Sequence, residues 1–314
     1  MSLDPLALLA QTALLLLLAP LLSGLIKNWK AKLQNRRGPR PWQTYFDVLK
    51  FLRKDMVVSE HASWIFSATP YVLFVSALVV GLMVPLVSAQ APLNLFGGAL
   101  AVVGLLALGR FFLALGGLDP ASAFGGMGSS REMTIAAIAE PAMMLAIFTV
   151  AITAGSTNLS QIVLASQEPG WKFLDPAHAL AFAAMFIVLL AETGRIPVDN
   201  PATHLELTMI HEAMLLEYSG RYLALIEWAA SIKQLVLLAL LANIFFPVGL
   251  AAELTPVTFA LGALGLVAKL LVLAGAVVLV EFTNAKLRLF RVPDLLSTAF
   301  ILATLALVST FLFK

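Results

Sequence analysis

The sequence of 314 residues contains no cysteine. Without thiolates, the chain can hold neither a cysteine-ligated iron–sulfur cluster nor a thiolate metal site, and it can form no disulfide. It also lacks the HExxH spacing of zinc enzymes, since its four histidines are His61, His178, His204 and His211. We therefore predict that the chain has no metal, no cofactor and no redox centre of its own, so that any redox chemistry belongs to partner chains.

Charged residues are also scarce, at 12% of the chain against 60% hydrophobic, and the mean hydropathy is +0.93. A soluble domain cannot bury so much apolar surface, so this composition predicts an all-α, polytopic membrane protein forming one integral membrane domain over residues 1–314. The N-terminus lacks a basic leader and a small-residue cleavage site, which indicates a retained first helix. Eight segments are long enough to cross a bilayer: 5–26, 64–87, 93–115, 132–155, 177–194, 222–247, 256–281 and 295–313.

Basic residues are distributed unequally between the two sides of these predicted spans. Fifteen of the 20 lysines and arginines fall on the side that contains residues 27–54, whereas the opposite side has only Lys172 and Lys314. The positive-inside rule places the basic side in the cytoplasm and both termini outside. We therefore expect a multi-pass protein of the inner (plasma) membrane.

The first basic loop contains a predicted amphipathic helix. Trp42, Tyr45, Phe46, Leu49 and Leu52 recur at helical spacing, with polar residues between them. Such a helix is typical of the membrane interface. Membrane anchoring and partner binding both remain open for it.

A glycine-rich stretch runs from Gly116 to Ser130. It lacks the GK[ST] ending of a phosphate-binding P-loop. Ser129 and Glu132 instead have the spacing of a capping box, which predicts a loop followed by a helix that starts near residue 132.

Residues 191–220 hold the densest group of titratable side chains. Asp199, Asn200 and Pro201 predict a helix start, and Gly220 predicts its end. In one such helix, Glu206 and Glu217 would share a face. A solvated surface helix without function is the alternative. Five of the chain's 18 acidic residues and two histidines lie here: Glu192, Asp199, Glu206, Glu212, Glu217, His204 and His211.

Ionisable residues also occur within or at the ends of the spans. Each would cost about 2.5–3.5 kcal/mol near the bilayer centre, so they require ion pairing or a wet path. Glu140 lies inside its span and precedes Pro141, where a kink would admit water. Interhelical ion pairs and a proton path both remain open. The residues are Arg110, Glu140, Glu192, Glu227, Lys233, Lys269 and Glu281.

Three stretches resemble a known family, the membrane protein called subunit 1 in respiratory complex I, which is shared with group 4 membrane-bound nickel–iron hydrogenases, including formate hydrogenlyase. They are NRRGPRPWQTYFDVLKFLRK at 35–54, SSREMTIAAIAEP at 129–141 and AETGRIPVDNPATHLELTMIHEAMLLEYSG at 191–220. With eight spans in matching order, the resemblance covers essentially the whole chain.

The resemblance implies a non-catalytic anchor that links a peripheral redox arm to antiporter-like membrane subunits. The implied partners are the large and small hydrogenase subunits, iron–sulfur subunits, antiporter-like subunits and the lipid bilayer, without nucleic acid. Glu140, Glu192, Asp199 and Glu206 match family carboxylates thought to connect the redox site to the proton path, and Glu212 and Glu217 are further proton-transfer candidates. The basic turn Arg36, Arg37, Gly38 and Pro39 is predicted to dock the peripheral arm or lipid headgroups.

One departure separates the two branches of this family. Where the quinone-using branch has PFDLPEAESEL, this chain has PVDNPATHLEL, so Ala202 and His204 replace two glutamates while Glu206 remains. This favours the hydrogenase branch, of the formate hydrogenlyase or hydrogenase-4 type. A quinone-site subunit of a complex I-like oxidoreductase and a stand-alone ion transporter are the alternatives.

Overall fold

A computed structural model describes residues 5–167, 175–200, 209–251 and 256–312. These residues form helices with short 3-10 turns and no β-sheet, only the isolated bridges Ser88–Ala251 and Gly98–Asn158. The α-helices are α1 Pro5–Leu33, α2 Gln43–Arg53, α3 Trp64–Met83, α4 Ala99–Leu118, α5 Ala123–Ala154, α6 Leu159–Ser166, α7 Pro176–Glu192, α8 Gly220–Phe245, α9 Pro256–Thr283 and α10 Val292–Leu312.

Seven of these helices are long and apolar enough to cross a membrane, namely α1, α3, α4, α5, α8, α9 and α10. The fifth predicted span is α7, an apolar helix of 17 residues. The prediction of an all-α, multi-pass membrane fold is therefore confirmed.

Most of the glycine-rich segment is helical and only residues 119–122 form a loop, so the long loop and the capping box predicted there are wrong. Its first glycines end α4, and α5 begins nine residues before Glu132, at Ala123. Ser129 lies buried inside α5 and donates its hydroxyl to Ala114 O at 2.9 Å. A Cβ on Gly125 would stand 2.1 Å from Gly117 O, so glycine allows α4 and α5 to approach closely. This packing outweighs the weak helix propensity of glycine.

Two prolines inside helices leave backbone carbonyls without their helical hydrogen bond, and aromatic side chains donate to these carbonyls instead. Pro20 has no N–H to donate to Leu16 O, and Trp228 Nε1 from α8 donates to that oxygen at 3.3 Å. Pro70 likewise frees Phe66 O, which accepts from the Tyr218 hydroxyl at 3.3 Å. Burial raises the pKa of Tyr218, so its hydroxyl keeps the proton that it donates. Each proline thus fixes a contact between distant parts of the chain.

The connecting segments gather at two ends of the helical bundle. We call one the basic end; it comprises residues 34–63, 119–122, 193–200, 209–219 and 284–291. There, Leu287 N donates to Pro197 O at 2.9 Å and Val57 N to Ser219 Oγ at 2.9 Å. At the far end, Ala89 N donates to Ala251 O at 3.0 Å. Successive long helices and α7 therefore alternate in direction, as a multi-pass fold requires.

The predicted amphipathic helix is confirmed as α2. Thr44 and Val48 are buried against the bundle, whereas Trp42, Phe46 and Leu49 are about half exposed. Phe46 and Leu49 of α2, and Trp42 just before it, therefore face outward.

The basic turn before α2 folds back onto the end of α1. Asn28 Nδ2 donates to Pro39 O at 2.7 Å, and Arg36 N donates to Ala31 O at 2.8 Å. Arg36 and Arg37 are both exposed.

Candidate functional site

Three carboxylates from two membrane helices converge on one arginine. Arg110 lies in α4, where Nη1 is 3.0 Å from Glu140 Oε1 and Nε is 3.5 Å from Glu132 Oε1. Its Nη2 contacts Glu192 Oε2, at the end of α7. Glu132 and Glu140 are two turns apart on α5, so one guanidinium fork can reach both.

Lys233 of α8 completes this group, with Nζ 2.9 Å from Glu192 Oε2. We refer to Arg110, Glu132, Glu140, Glu192 and Lys233 as the carboxylate cluster. Glu192 faces both cations and its side chain is 1% exposed, whereas Glu132 and Glu140 share Arg110. Interhelical ion pairing, one of the two explanations left open by the sequence, is therefore present. Three carboxylates against two cations leave one negative charge without a partner within the cluster.

A central cavity of about 150 Å³ lies between the carboxylate cluster and the basic end. Its inner part is lined by Arg110, Glu132, Glu192 and Lys233. Charged groups continue along its wall toward the basic end, beside apolar side chains such as Leu73, Leu106, Leu113 and Ile226. These further charged residues are Lys27, Arg195, Asp199, His211, Glu212 and Glu227.

Asp199 is buried where the segment after α7 meets the basic end. Its Oδ1 is 2.6 Å from Lys286 Nζ and accepts from Asn200 N at 2.8 Å. Its Oδ2 accepts from the N–H groups of Ile210 and His211 at 3.2 and 3.4 Å. The Lys286 contact neutralises the charge of Asp199. The hydrogen bonds to Ile210 and His211 hold residues 209–211 against the cavity.

A second ionic group borders the same cavity. Glu281 of α9 has a fully buried side chain, with Oε2 2.8 Å from Lys30 Nζ and Oε1 3.3 Å from Arg195 Nη1. Arg195 Nη2 also donates to Gln234 Oε1 at 2.9 Å. These contacts tie α1, α8 and α9 to the segment after α7.

The helix predicted from Pro201 to Gly220 is wrong over its described part. Residues 209–219 contain only the 3-10 turn Glu212–Leu215, and Gly220, with φ +52°, opens α8. The hydrogen bonds to Asp199 hold this segment in an irregular path. Gly220 has a left-handed backbone conformation, and a Cβ on it would also stand 2.7 Å from Asp55 O.

The predicted acidic residues of this segment lie in different places. Glu212 lines the central cavity, and burial raises its pKa. The negative charges of Glu227 and Asp199 raise this pKa further, whereas His211 and Lys27 lower it. Glu217 is exposed and does not line that cavity. Glu206 and His204 lie outside the described residues.

Sequence reasoning assigned no proton role to Arg110, Lys233 or Glu132. The two cations did carry a signal, since each interrupts an apolar span. Glu132 was missed because it was assigned to a helix cap. In the part of the chain that the structure describes, no group of three or more His, Asp or Glu side chains is arranged to hold a metal ion.

Lys269, the other lysine within a span, lies away from the cluster, in the middle of α9. Its Nζ donates to Asn243 Oδ1 at 2.8 Å and to Phe246 O at 3.0 Å. The amide of Asn243 donates in turn to Pro85 O and Leu86 O, at 2.7 and 3.0 Å. This lysine therefore joins α9 to the far end of the bundle.

Comparison with known proteins now places the chain in a family. A sequence model described as NADH dehydrogenase matches residues 6–312. The chain belongs to this NADH dehydrogenase family. Within the family, it is 35% identical to hydrogenase-4 component C of Escherichia coli (strain K12) over 301 residues, covering 96% of this chain and 94% of that one. It is 34% identical to formate hydrogenlyase subunit 4 of the same strain, covering 96% of this chain and 97% of that one.

A relative from an NADH-quinone oxidoreductase matches less of the chain. The H subunit of NADH-quinone oxidoreductase from Burkholderia vietnamiensis (strain G4 / LMG 22486) is 30% identical, covering 81% of this chain and 73% of that one. A chain of the membrane-bound sulfane sulfur reductase, an archaeal respiratory membrane complex, shares the fold, with a TM-score of 0.84 and 20% identity over 96% of this chain and 98% of that one. The family resemblance seen in the sequence is confirmed, and the protein is a membrane subunit of a complex I-like assembly.

Proposed function

We propose that this NADH dehydrogenase family member is the non-catalytic, proton-coupling anchor of a membrane-bound nickel–iron hydrogenase complex. It joins a peripheral redox arm to antiporter-like subunits. The names of its two relatives at 34–35% identity, hydrogenase-4 component C and formate hydrogenlyase subunit 4, support the hydrogenase assignment. The basic end faces the cytoplasm in this proposal, and its exposed Arg36 and Arg37 contact the peripheral arm.

The observation that carries the proposal is the convergence of three membrane carboxylates on Arg110 beside the central cavity. The cluster has one carboxylate more than its cations neutralise, and we propose that this excess carboxylate binds and releases a proton during turnover. The cluster therefore holds one exchangeable proton. Because Glu192 faces both cations, Glu132 and Glu140 are the members of the cluster that exchange this proton in our proposal.

The central cavity supplies the route by which that proton exchanges. At about 150 Å³ it has room for several water molecules. Its charged wall extends from the cluster to Asp199 and Glu212 at the basic end, where Asp199 helps to shape the cytoplasmic mouth of the path. Glu206, outside the described residues, stays a predicted member of the same path. A redox event in the peripheral arm would change the charge at this mouth and thereby the proton occupancy of the cluster.

The test compares single Glu140→Gln and Glu192→Gln variants in membrane vesicles that contain the complete complex. Glutamine retains shape and hydrogen bonding but carries no proton, so we expect assembly on native gels with proton movement per hydrogen molecule lowered about tenfold or more. Glu60→Gln, an exposed carboxylate at the basic end, is the matched control. Normal coupling in both assembled cluster variants would contradict the proposal.

A second candidate function is that of a quinone-site subunit. Two observations favour it: the apolar wall of the central cavity and the similarity to the H subunit of NADH-quinone oxidoreductase. Quinone bound to the purified complex, displaced by substitution of Leu106 with Trp in the cavity wall, would support this candidate. Quinone-free complex with full turnover would exclude it.

A further inference from the structure

A small second cavity lies between the carboxylate cluster and Asp199. Its volume is about 10 Å³, which is room for one water molecule. Glu132, Glu192, Asp199 and His211 supply its polar lining, and all four also line the central cavity. The small cavity therefore connects the membrane part of the site to its mouth.

One wall of the small cavity offers an acceptor that the protein leaves without a donor. Glu192 Oε1 is buried and has no hydrogen-bond partner among the described residues. Asp199, which also lines this cavity, already accepts from Lys286 and from backbone N–H groups. A water in this cavity would donate to the glutamate side, because buried carboxylate oxygens require donors.

Glu132 is the member of the cluster placed to take a proton from this water. Its contact with Arg110, at 3.5 Å, is longer than the 3.0 Å contact of Glu140. It lies two turns of α5 closer to the basic end than Glu140, and it lines both cavities. Arg110 therefore constrains Glu132 less than Glu140, and a water in the small cavity has both Glu132 and Glu192 in its lining.

We propose that Glu132 transfers protons from His211 to the rest of the cluster through one water in the small cavity; this inference rests on the proposed function. The imidazolium N–H of His211 breaks as its proton forms an O–H bond with the water. At the same time, one of the water's own O–H bonds breaks and its proton binds the Glu132 carboxylate. The water is regenerated, and neutral His211 regains a proton from the central cavity.

The first test is Glu132→Gln in vesicles that contain the complete complex, with Glu60→Gln as control. We expect the variant to assemble and to lose about tenfold or more of its proton movement per hydrogen molecule. Glu132→Asp, which keeps a carboxylate, should restore part of that loss.

The second test fills the small cavity without changing any charge. Ala191 lines the small cavity but not the central one, so Ala191→Val removes the room for water. We expect it to lower proton movement as Glu132→Gln does. Ala179→Val, on an exposed position of the same helix α7, is the matched control and should couple normally.

The outcomes separate this inference from the proposed function. Normal proton movement in either assembled variant, Glu132→Gln or Ala191→Val, would overturn the inference. If Glu140→Gln and Glu192→Gln lose coupling in the same vesicles, the proposed function survives that result. If all four variants couple normally, the proposed function fails as well.

Discussion

At the scale of single residues, Arg110 opposes three carboxylates at once. Removing one partner of a buried ion pair leaves uncompensated charge, which costs about 3–5 kcal/mol. Lysine could not replace it, because an ammonium lacks the fork of donors that serves several carboxylates.

We therefore expect Arg110→Met to lower the thermal midpoint and the membrane yield of the complex, by an amount equivalent to about 3–5 kcal/mol. Arg288→Met, at an exposed position of the basic end, is the control and should change neither quantity. An assembled Arg110→Met complex with an unchanged midpoint would show that the ion pairs do not stabilise the protein.

The sequence identified part of this site. Glu140, Glu192 and Asp199 were predicted from the family motif, and Arg110 and Lys233 were noted as costly charges within spans. Their convergence was not predictable, because it depends on how α4, α5, α7 and α8 pack. Glu132 was missed for a different reason: local capping chemistry matched its spacing, and only tertiary packing shows that α5 starts earlier.

At the scale of elements, the hydrophobic segments predicted the membrane helices well and their ends less well. Apolar length identifies a span, but the position where a helix ends depends on contacts between distant segments. The segment 209–219 is an example, since its N–H groups bond to Asp199 instead of continuing a helix. The pairing of prolines with aromatic donors was likewise invisible in the sequence.

That pairing leads to a prediction for Tyr218. Tyr218→Phe keeps the ring stacked on Phe66, at a centroid distance of 4.0 Å, but leaves Phe66 O without its donor. We expect a loss of about 1–3 kcal/mol in the free energy of unfolding, measured as a shift in thermal midpoint. Tyr71→Phe, at a position more than half exposed, is the control.

A double-mutant cycle tests the cause of that loss. Pro70→Ala restores a backbone N–H that can bond to Phe66 O, so Tyr218→Phe should cost less in this background. If Tyr218→Phe lowers the free energy of unfolding equally in both backgrounds, the carbonyl freed by Pro70 is not the cause of the loss.

At the scale of the whole molecule, the arrangement places most basic residues at one end, which the positive-inside rule assigns to the cytoplasm. A cysteine-free chain allows a clean test. We expect Gln43→Cys to react with a membrane-impermeant thiol reagent only after cells are lysed. Thr157→Cys, exposed at the far end, should react in intact cells. Labelling of position 43 from outside would reverse the proposed orientation.

The exposed basic turn predicts how the peripheral arm binds. Charge reversal at Arg36 and Arg37 should release peripheral subunits from washed membranes, because both guanidiniums face outward. The same reversal at Arg288 and Arg291, also exposed at the basic end, is the control. If the peripheral subunits of this variant stay bound at high salt, the turn serves only as a lipid anchor.

Infrared difference spectroscopy of the complete complex can detect directly whether the carboxylate cluster holds one proton that exchanges during turnover. A protonated carboxyl group has a C=O stretching band that a carboxylate lacks. We expect this band to change when the complex turns over, and to weaken in Glu132→Gln and in Glu140→Gln but not in Glu60→Gln. A turnover signal identical in all three variants and in the native complex would contradict the account.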